Sequence, residues 1–387
     1  MRFEEVLGQQ YIKNRLQTAI SVNRLAHAQL FVGPEGSGTL PMALALARAV
    51  LCEYGDLTPA QKESGHLKMD HLNHPDLHFA FPVATSEAAK SKPISDHYIA
   101  EWRSFIQEQP YGNLFDWYQL IGTEKKQGNI SVEEAKEISQ KLALKSYEGG
   151  YKVMVIWGVE KMNTAAANKL LKLLEEPPEK TLFILIAQDE EQLLATIQSR
   201  CQISHFRKNS EEAITEGLVQ AGATAQEAKQ ISVAAEGNFN KALDLFRKDS
   251  EELRFGDWFV FWVRTAFSAK GNKGAINELI HWSGEVAKSG REVQKNFLLY
   301  CLSLFREALL SHYGLSEFQH TQVQVDGFDF KKLVPFVHES NITGIQEALE
   351  KALYEIERNG NAKMIFTDVA IVLTRYIHTP SAAKATK

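Results

Sequence analysis

A glycine-rich stretch between an apolar segment and a helical segment constrains this chain more than any other feature. Gly33 and Gly38 have the spacing of a phosphate-binding loop, whose pattern is G-x-x-x-x-G-K-[ST]. Residues 29–32 (QLFV) predict a short buried strand before the loop, and residues 42–51 predict a helix after it. This context is typical of a nucleotide-binding α/β domain.

Two positions within the stretch depart from the pattern. Thr39 stands where the lysine that holds phosphate belongs, and Leu40 stands where the magnesium-binding hydroxyl belongs. Gly36 adds a third glycine to the loop. The stretch therefore predicts a phosphate loop that keeps its shape and lacks its chemistry.

Composition excludes several other classes of protein. The chain has 387 residues, of which 44% are hydrophobic and 24% charged, and its net charge is −5. These values predict two or three globular domains without a global basic field for nucleic acid. No apolar run approaches the roughly 20 residues of a membrane helix, and the first ten residues do not resemble a signal peptide. The chain has three widely spaced cysteines, Cys52, Cys201 and Cys301. They predict a reducing compartment, so we expect a cytoplasmic protein without membrane contact.

Strand and helix patterns alternate up to residue 206 and then become helical throughout. Continuous apolar runs predict buried parallel strands at residues 152–157 and 181–187, and a last, shorter strand is predicted at residues 201–206. Helices are predicted between them, and Ser131 begins one with capping-box spacing to Glu134. We therefore predict an α/β parallel-sheet domain at 1–207, a small helical domain at 208–249 and an all-α domain at 250–387.

The segment from residue 53 to residue 129 has a weaker pattern. It is polar and is predicted to be largely irregular, with one strand at 76–83, a helix at 98–107 and a turn at 110–113.

The other groups of a working ATPase are also missing. An acidic pair should end the strand 152–157, but Trp157 and Gly158 stand there. Glu160 follows two residues late and is interpreted as a solvated or helix-capping carboxylate. Ala187 ends the strand where a polar residue should sense the γ-phosphate, and only the Gln188 amide follows. These losses together predict a pseudo-enzyme.

Arg200 remains, within Ser199-Arg200-Cys201 before the last strand. A lone arginine is more often a surface or phosphate-steering charge. Its position after the helix that follows the fourth strand favours a second interpretation, in which it reaches into the active site of a neighbouring subunit.

Residues 151–201 resemble the clamp-loader subunits of the AAA+ class, through N-K-L-L-K-L-L-E-E-P-P, a strand and S-R-C. Residues 27–31 (HAQLF) and 237–243 (GNFNKAL) match the same family. The resemblance covers residues 1–250 well and implies an AAA+ P-loop domain, a helical lid and an oligomerising collar. It matches the collar in length and class only.

The resemblance also implies roles for individual residues. Arg200 would be an arginine finger acting in trans, with its loop fixed by Ser199 and Cys201. Asn240 replaces the lid arginine with which family ATPases sense nucleotide. A vestigial phosphate loop would contain Gly33, Gly36, Gly38 and Thr39. The implied partners are ATPase motor subunits and a delta-type subunit in a hetero-pentamer, and ATP would be bound by the neighbouring subunit. A sliding clamp and primer–template DNA would be reached through the complex.

A metal site is not expected. Relatives in the resembled family often carry four zinc-binding cysteines after the P-loop helix, and this chain has only Cys52 there. Four histidines do occur within thirteen residues, but their spacing matches no known ligand pair: His66, His71, His74 and His78.

Two other functions stay open. The chain could be an unconventional ATPase in which Thr39, Glu160 and Gln188 replace the usual groups. It could also be a binding module whose residues 53–129 recruit another replication or repair factor. Lys141 and Lys145 are interpreted as a solvated helix face rather than a DNA contact.

Overall fold

The computed structural model describes residues 1–55, 57–86, 89–123, 126–247, 250–270, 272–314, 325 and 327–380. The chain divides into two compact units, one of Met1–Thr123 with Gln127–Phe246 and one of Glu124–Lys126 with Arg247–Lys387. The division into three domains at residues 207 and 249 stays a prediction.

Within the described residues, the first unit contains a parallel sheet of five strands. They are β1 Ala28–Val32, β2 Leu77–Ala80, β3 Lys152–Trp157, β4 Thr181–Ala187 and β5 Gln202–His205. The strand order is β2-β3-β4-β1-β5, and every pairing is parallel. The predicted α/β fold and its parallel sheet are thus confirmed. The loop 33–38 follows β1, which lies between β4 and β5, and it is at the carboxyl ends of the parallel strands, where such sheets place ligand sites.

Helices occupy most of the remaining described chain. They are α1 Gln10–Ser21, α2 Thr39–Cys52, α3 Pro59–Asp70, α4 Ile99–Glu108, α5 Leu114–Leu120, α6 Val132–Ala143, α7 Thr164–Glu175, α8 Ala195–Gln198, α9 Glu211–Gln220, α10 Ala225–Ala234, α11 Phe239–Arg247, α12 Ser250–Ser268, α13 Lys273–Lys288, α14 Arg291–His312, α15 Glu339–Glu357 and α16 Ala362–Ile377.

The strands β1, β3 and β4 are buried on both faces because they are apolar at nearly every position, whereas the edge strand β5 is partly exposed. One face packs against α1, α2 and aromatic residues of the segment 53–129, through Phe31, Val153, Val155, Leu182 and Ile184. The other face packs against α6 and α7, through Leu30, Met154, Ile156, Phe183 and Leu185. This three-layer arrangement holds the loop edge of the sheet rigidly.

The segment 53–129 is more regular than we predicted. It contains α3, β2, α4 and α5, and its aromatic side chains pack in the core. Trp102 is fully buried and stacks on Phe81 with ring centroids 4.2 Å apart. The prediction of a largely irregular segment was wrong, since α3 and α5 begin at local side-chain caps that the polar composition obscures. Thr58, for example, caps α3 and Pro59 is its first residue.

The helices α9, α10 and α11 enclose a small core of their own in the first unit. Ile214, Leu218, Ala228 and Phe239 are buried in it. The second unit contains α12 to α16, and its core includes the stacked pair Trp262 and Trp282, 5.4 Å apart. No helix in the described part of the chain combines the length and apolarity needed to cross a membrane.

Candidate functional site

The loop after β1 has the backbone of a phosphate-binding loop. Gly36 and Gly38 have φ angles of +67° and +94°, which favour glycine. Gly38 directly precedes the first residue of α2, and the backbone N–H of Gly33 donates to the carbonyl of Ala187 at 3.1 Å. A Cβ on Gly36 would lie 2.0 Å from Oδ1 of Asn238, so the third glycine is required by a close approach.

The side chains of the loop do not supply phosphate chemistry. Thr39 is the first residue of α2, at the position of the missing lysine. Leu40 is only 3% exposed and belongs to the core. The hydroxyl of Ser37 is buried and has no hydrogen-bond partner among the described residues. The loop thus presents neither a cation nor a hydroxyl oriented by a partner.

The substituted positions of the neighbouring strands lie beside the loop. Trp157, Gly158 and Ala187 line the same small cavity as the loop glycines. Trp157 is 7% exposed, and its ring lies 5.1 Å from that of Trp102. The cavity measures about 30 Å³, which is room for roughly one water molecule, whereas ligand pockets measure about 300–1,000 Å³. The cavity between these residues is therefore much smaller than an ordinary ligand pocket.

A turn that we predicted at residues 110–113, without assigning it a role, forms the opposite wall of this cavity. The side-chain amide of Asn113 donates to Oε2 of Glu35 at 3.3 Å. The side-chain amide of Gln188 donates to the other carboxylate oxygen of Glu35 at 3.0 Å. Sequence reasoning missed these contacts because 78 and 153 residues separate the partners.

Glu160 also lines the cavity, and our interpretation of it was wrong. Its Oε2 atom is buried and has no hydrogen-bond partner within the described chain. Burial raises the pKa of its carboxyl group, although the Gln188 backbone N–H and the Lys161 charge oppose the shift. Glu160 is half-buried with one carboxylate oxygen shielded from solvent, so it is not a solvated carboxylate.

Asn240 does not line this cavity. It lies on α11, and its side-chain amide donates to Oδ2 of Asp116 at 2.8 Å. The position from which family ATPases sense nucleotide is thus engaged by another part of the chain.

Arg200 lies away from the cavity, between α8 and β5. Its Nη1 donates to the Thr196 carbonyl at 2.8 Å and to Oγ of Ser199 at 3.3 Å. Its Nη2 forms an ion pair with Glu175 at the end of α7. The side chain is 31% exposed, and Nε has no partner among the described residues. The thiol of Cys201 is partly buried, and burial raises its pKa to about 11.

The four histidines of the segment 53–129 and the preceding Cys52 form no metal-binding group within the described residues. Among the described residues, no group of three or more potential ligands is placed to hold an ion. His74 is buried and accepts from the backbone N–H of Asp76 at 3.2 Å. Burial lowers the pKa of His78 to about 4 and raises that of Cys52 to about 11. The residues present do not fit the four-cysteine zinc site of related chains.

The fold and the cavity together define a class of protein. A parallel strand, β1, followed by a glycine loop and then by the helix α2 is the arrangement of a P-loop α/β domain. The family model described as "DNA polymerase III, delta subunit" matches residues 8–210, which is more than half of the chain. The chain belongs to that family.

Individual relatives agree with this family. DNA polymerase III subunit tau of Bacillus subtilis is 30% identical over 295 residues, 74% of this chain and 43% of that protein. Subunit delta′ of the same organism is 29% identical over 234 residues, 60% of this chain and 58% of its own length. The alignments thus span about half of each relative. The chain is thus similar to both tau and delta′ subunits of DNA polymerase III.

A solved structure resembles the chain more loosely. It is a DNA polymerase III gamma subunit-related protein from Thermotoga maritima, with 17% identity and a TM-score of 0.41 over 94% of this chain and 99% of that one.

Proposed function

We propose that this chain is a non-catalytic, delta-prime-type subunit of a DNA polymerase III clamp loader. It supports ATP-dependent loading of a sliding clamp onto primed DNA and supplies Arg200 to the ATP site of a neighbouring subunit. The observation that carries the proposal is a partly exposed arginine in an S-R-C turn, on a domain whose own cleft measures only about 30 Å³.

The contacts of Arg200 would allow its guanidinium group to exchange Glu175 for a phosphate group. Two of its nitrogens are held by the Thr196 carbonyl and by Glu175, which limits the motion of the side chain. A phosphate oxygen of a neighbour could replace the Glu175 carboxylate, because the guanidinium fork accepts either anion. The exchange trades one charge-assisted hydrogen bond for another, so its cost is small compared with the gain in the transition state.

The cleft of the chain itself supports a non-catalytic role. Thr39 provides no cation, Leu40 no hydroxyl and Trp157 no carboxylate for magnesium. Without these groups, phosphate charge would not be neutralised as phosphoryl transfer proceeds. The chain is therefore no enzyme by itself, and acts as a component of the DNA polymerase III holoenzyme, a DNA-directed DNA polymerase.

The partners follow from the same assignment. We expect ATPase motor subunits and a delta-type subunit in a hetero-pentamer, assembled through the all-α domain at 250–387. The sliding clamp and primer–template DNA are reached through the complex, in the cytoplasm and without membrane contact. The tau and delta′ names of the relatives support this set of partners.

Reconstitution tests the proposal. The full chain is mixed with motor and delta-type subunits, and complex mass and clamp- and DNA-stimulated ATP hydrolysis are measured with and without it. We expect incorporation as a single copy and a marked rise in stimulated hydrolysis. A chain that does not enter the complex would contradict the assignment.

One observation favours a second function, that of an unconventional ATPase. Glu160 is a half-buried carboxyl group with a raised pKa on the cavity wall, as catalytic acids and bases often are. The amide of Gln188 is already bound to Glu35, however, and is not free to hold a phosphate. Titration of the isolated chain with magnesium and labelled ATP separates the two functions, since micromolar affinity with turnover would favour the enzyme.

A further inference from the structure

A second pocket opens between the residues before α1 and the helices α1, α2 and α3, and is here called the Arg48 pocket. It measures about 520 Å³, whereas the cavity beside the loop 33–38 measures about 30 Å³. The two sets of lining residues share no member. Pockets that bind small molecules measure about 300–1,000 Å³. The size of the Arg48 pocket therefore suits a small organic molecule.

A buried arginine forms part of the pocket wall. Arg48 is the one charged residue in the sequence of α2, and it lines the pocket although it is only 3% exposed. A guanidinium group that is removed from water is unfavourable unless anions and hydrogen-bond acceptors surround it. The pocket wall thus contains a cation that needs anionic neighbours.

The described residues supply part of what this guanidinium group can bind. Its Nη2 forms an ion pair with Asp70, which is 56% exposed. Its Nη1 lies 3.5 Å from Nδ1 of His66, at the limit of a hydrogen bond. Its Nε has no hydrogen-bond partner among the described residues. Because a guanidinium group has five N–H donors, an anion in the pocket would add an acceptor to a group with donors to spare.

Further donors face the same pocket. Arg2 lines it, together with the side chains of Gln17 and Ser21. The hydrogen bond from Arg48 holds the pKa of the Asp70 carboxyl group below its ordinary value, and the charges of Arg48 and Arg2 act in the same direction. Two arginines thus act on one carboxylate at this place, which is the electrostatic field that would attract another anion.

Two carboxylates also line the pocket, and their exposure limits their effect. Glu53 is 60% exposed and lies 3.8 Å from Nε2 of His66, and Glu4 is exposed as well. Arg48 is buried, so a cation lies at the inner wall and the carboxylates lie toward solvent. Salt and water screen exposed charges, whereas they screen a buried charge much less. An anion is therefore attracted more strongly at the inner wall than it is repelled at the mouth.

Carbon atoms form much of the remaining wall. Phe3, Ala45 and Ala49 line the pocket and are 8% exposed or less, and the half-buried Ile20 lies beside them. Apolar surface of this kind binds the carbon skeleton of a ligand, while a few polar groups fix its orientation. The pocket therefore suits an anion that also carries an apolar body.

We propose that the Arg48 pocket binds a small organic anion. The carboxylate or phosphate group of the ligand accepts hydrogen bonds from Arg48 and Arg2, because a guanidinium fork binds either group. The apolar body of the ligand packs against Phe3 and Ala49. This site is separate from the loop 33–38 and from Arg200, so it does not depend on the function proposed above.

Calorimetric titration of the full chain tests the proposal. Phenyl phosphate and benzoate are the anionic probes, benzyl alcohol is the neutral probe, and inorganic phosphate is the probe without an apolar body. We expect at least one of the two aromatic acids to bind at a single site with a Kd below about 1 mM. Benzyl alcohol and inorganic phosphate should bind at least about tenfold more weakly. The tighter of the two acids identifies the acidic group that the pocket prefers.

Variants locate the binding. Arg2→Ala removes an exposed side chain and should weaken binding of the acid about tenfold or more, because a hydrogen bond to a charged group is lost. Arg48→Lys keeps a positive charge but lacks the planar fork, and a similar loss is expected. Arg24→Ala is the matched control, because Arg24 is exposed beyond the end of α1 and does not line the pocket. Binding should be unchanged in Arg24→Ala and in Arg200→Ala.

Hydrogen exchange gives an independent location. The acid that binds more tightly should slow exchange in peptides from the end of α1 and from α3. Absence of binding by both aromatic acids at 10 mM, roughly tenfold above the expected Kd, would overturn the proposal. Binding that Arg2→Ala and Arg48→Lys both leave unchanged would also overturn it, as would slowed exchange confined to the loop 33–38 or to residues 199–201. These results would leave the assignment of Arg200 untouched, because the measurement needs no partner subunit.

Discussion

Glu134 at the start of α6 makes the stability of the first unit depend on pH. Its side chain is 1% exposed, and Oε2 accepts the backbone N–H of Ser95 at 2.6 Å. Burial raises the pKa of Glu134 to about 7, with Asp96 acting in the same direction and the Ser95 hydrogen bonds and Lys141 charge opposing. We predict that the native chain loses stability relative to Glu134→Gln as pH rises.

The sign and the size follow from proton linkage. The unfolded chain ionises this carboxyl group near its ordinary pKa of 4.5, whereas the folded chain keeps the proton until about pH 7. Between these two values the folded state binds more protons, so the free energy of unfolding falls as pH rises. A shift of that size corresponds to about 3 kcal/mol, of which roughly 2–3 kcal/mol falls between pH 5 and pH 8.

The assay is urea unfolding of both proteins at pH 5 and pH 8. Pulsed hydrogen exchange of peptides from β3 and β4 detects the unfolding. Glutamine cannot ionise, so the stability of Glu134→Gln minus that of the native chain should rise by roughly 2–3 kcal/mol between the two pH values. Buried histidines such as His74 and His78 titrate in both proteins and cancel in the difference. An equal pH dependence of the two proteins would refute the reasoning.

Other predictions concern the loop and the thiols. Gly36→Ala should destabilise the first unit by roughly 1–3 kcal/mol in urea, because a Cβ there meets Asn238 and φ is positive. Gly150→Ala, where the nearest atom would be 3.5 Å away, should be nearly neutral, and an equal loss in both would contradict this account. Burial raises the pKa of the thiols of Cys52, Cys201 and Cys301. Ellman's reagent at pH 8 should therefore react slowly with the native chain and rapidly after unfolding. Fast labelling of the native chain would contradict this prediction.

The sequence predicted those parts of the fold that have strong local patterns. The strands β3 and β4 are apolar at nearly every position, and their predicted bounds are those of the structure. Helix α7 carries its apolar face at helical spacing, which is visible in the residues themselves, and in the structure Asn163 caps it. The loop after β1 was recognisable because its glycines meet a backbone requirement at fixed spacing.

The contacts that close the cleft could not be predicted in the same way. Glu35 meets Asn113 and Gln188 across long separations, and Asp116 meets Asn240 across 124 residues. Such pairs depend on how the segment 53–129 folds back over the sheet, which local pattern does not encode. The substituted positions were visible in the sequence, but the closure of the space between them was not.

The burial of carboxyl groups was the other feature that the sequence did not predict. The spacing of Ser131 and Glu134 suggested a capping box, and the Ser131 hydroxyl does accept the Glu134 backbone N–H at 3.4 Å. The Glu134 carboxylate binds Ser95 instead. Glu160 likewise lies in the cavity wall. In both cases, tertiary packing removed from water a carboxyl group that sequence alone would leave solvated.

The role of Arg200 is tested most directly by Arg200→Ala in the reconstituted complex. Arginine fingers in other phosphoryl-transfer systems contribute on the order of 10³–10⁵ in rate, so hydrolysis at the one site that receives Arg200 should almost stop. We predict a lower kcat for clamp- and DNA-stimulated ATP hydrolysis, with complex mass and KM unchanged. Arg200→Lys should not restore the rate, because an ammonium lacks the planar fork of donors. An unchanged kcat in an intact complex containing Arg200→Ala would contradict the central claim that this chain serves the ATP site of its neighbour.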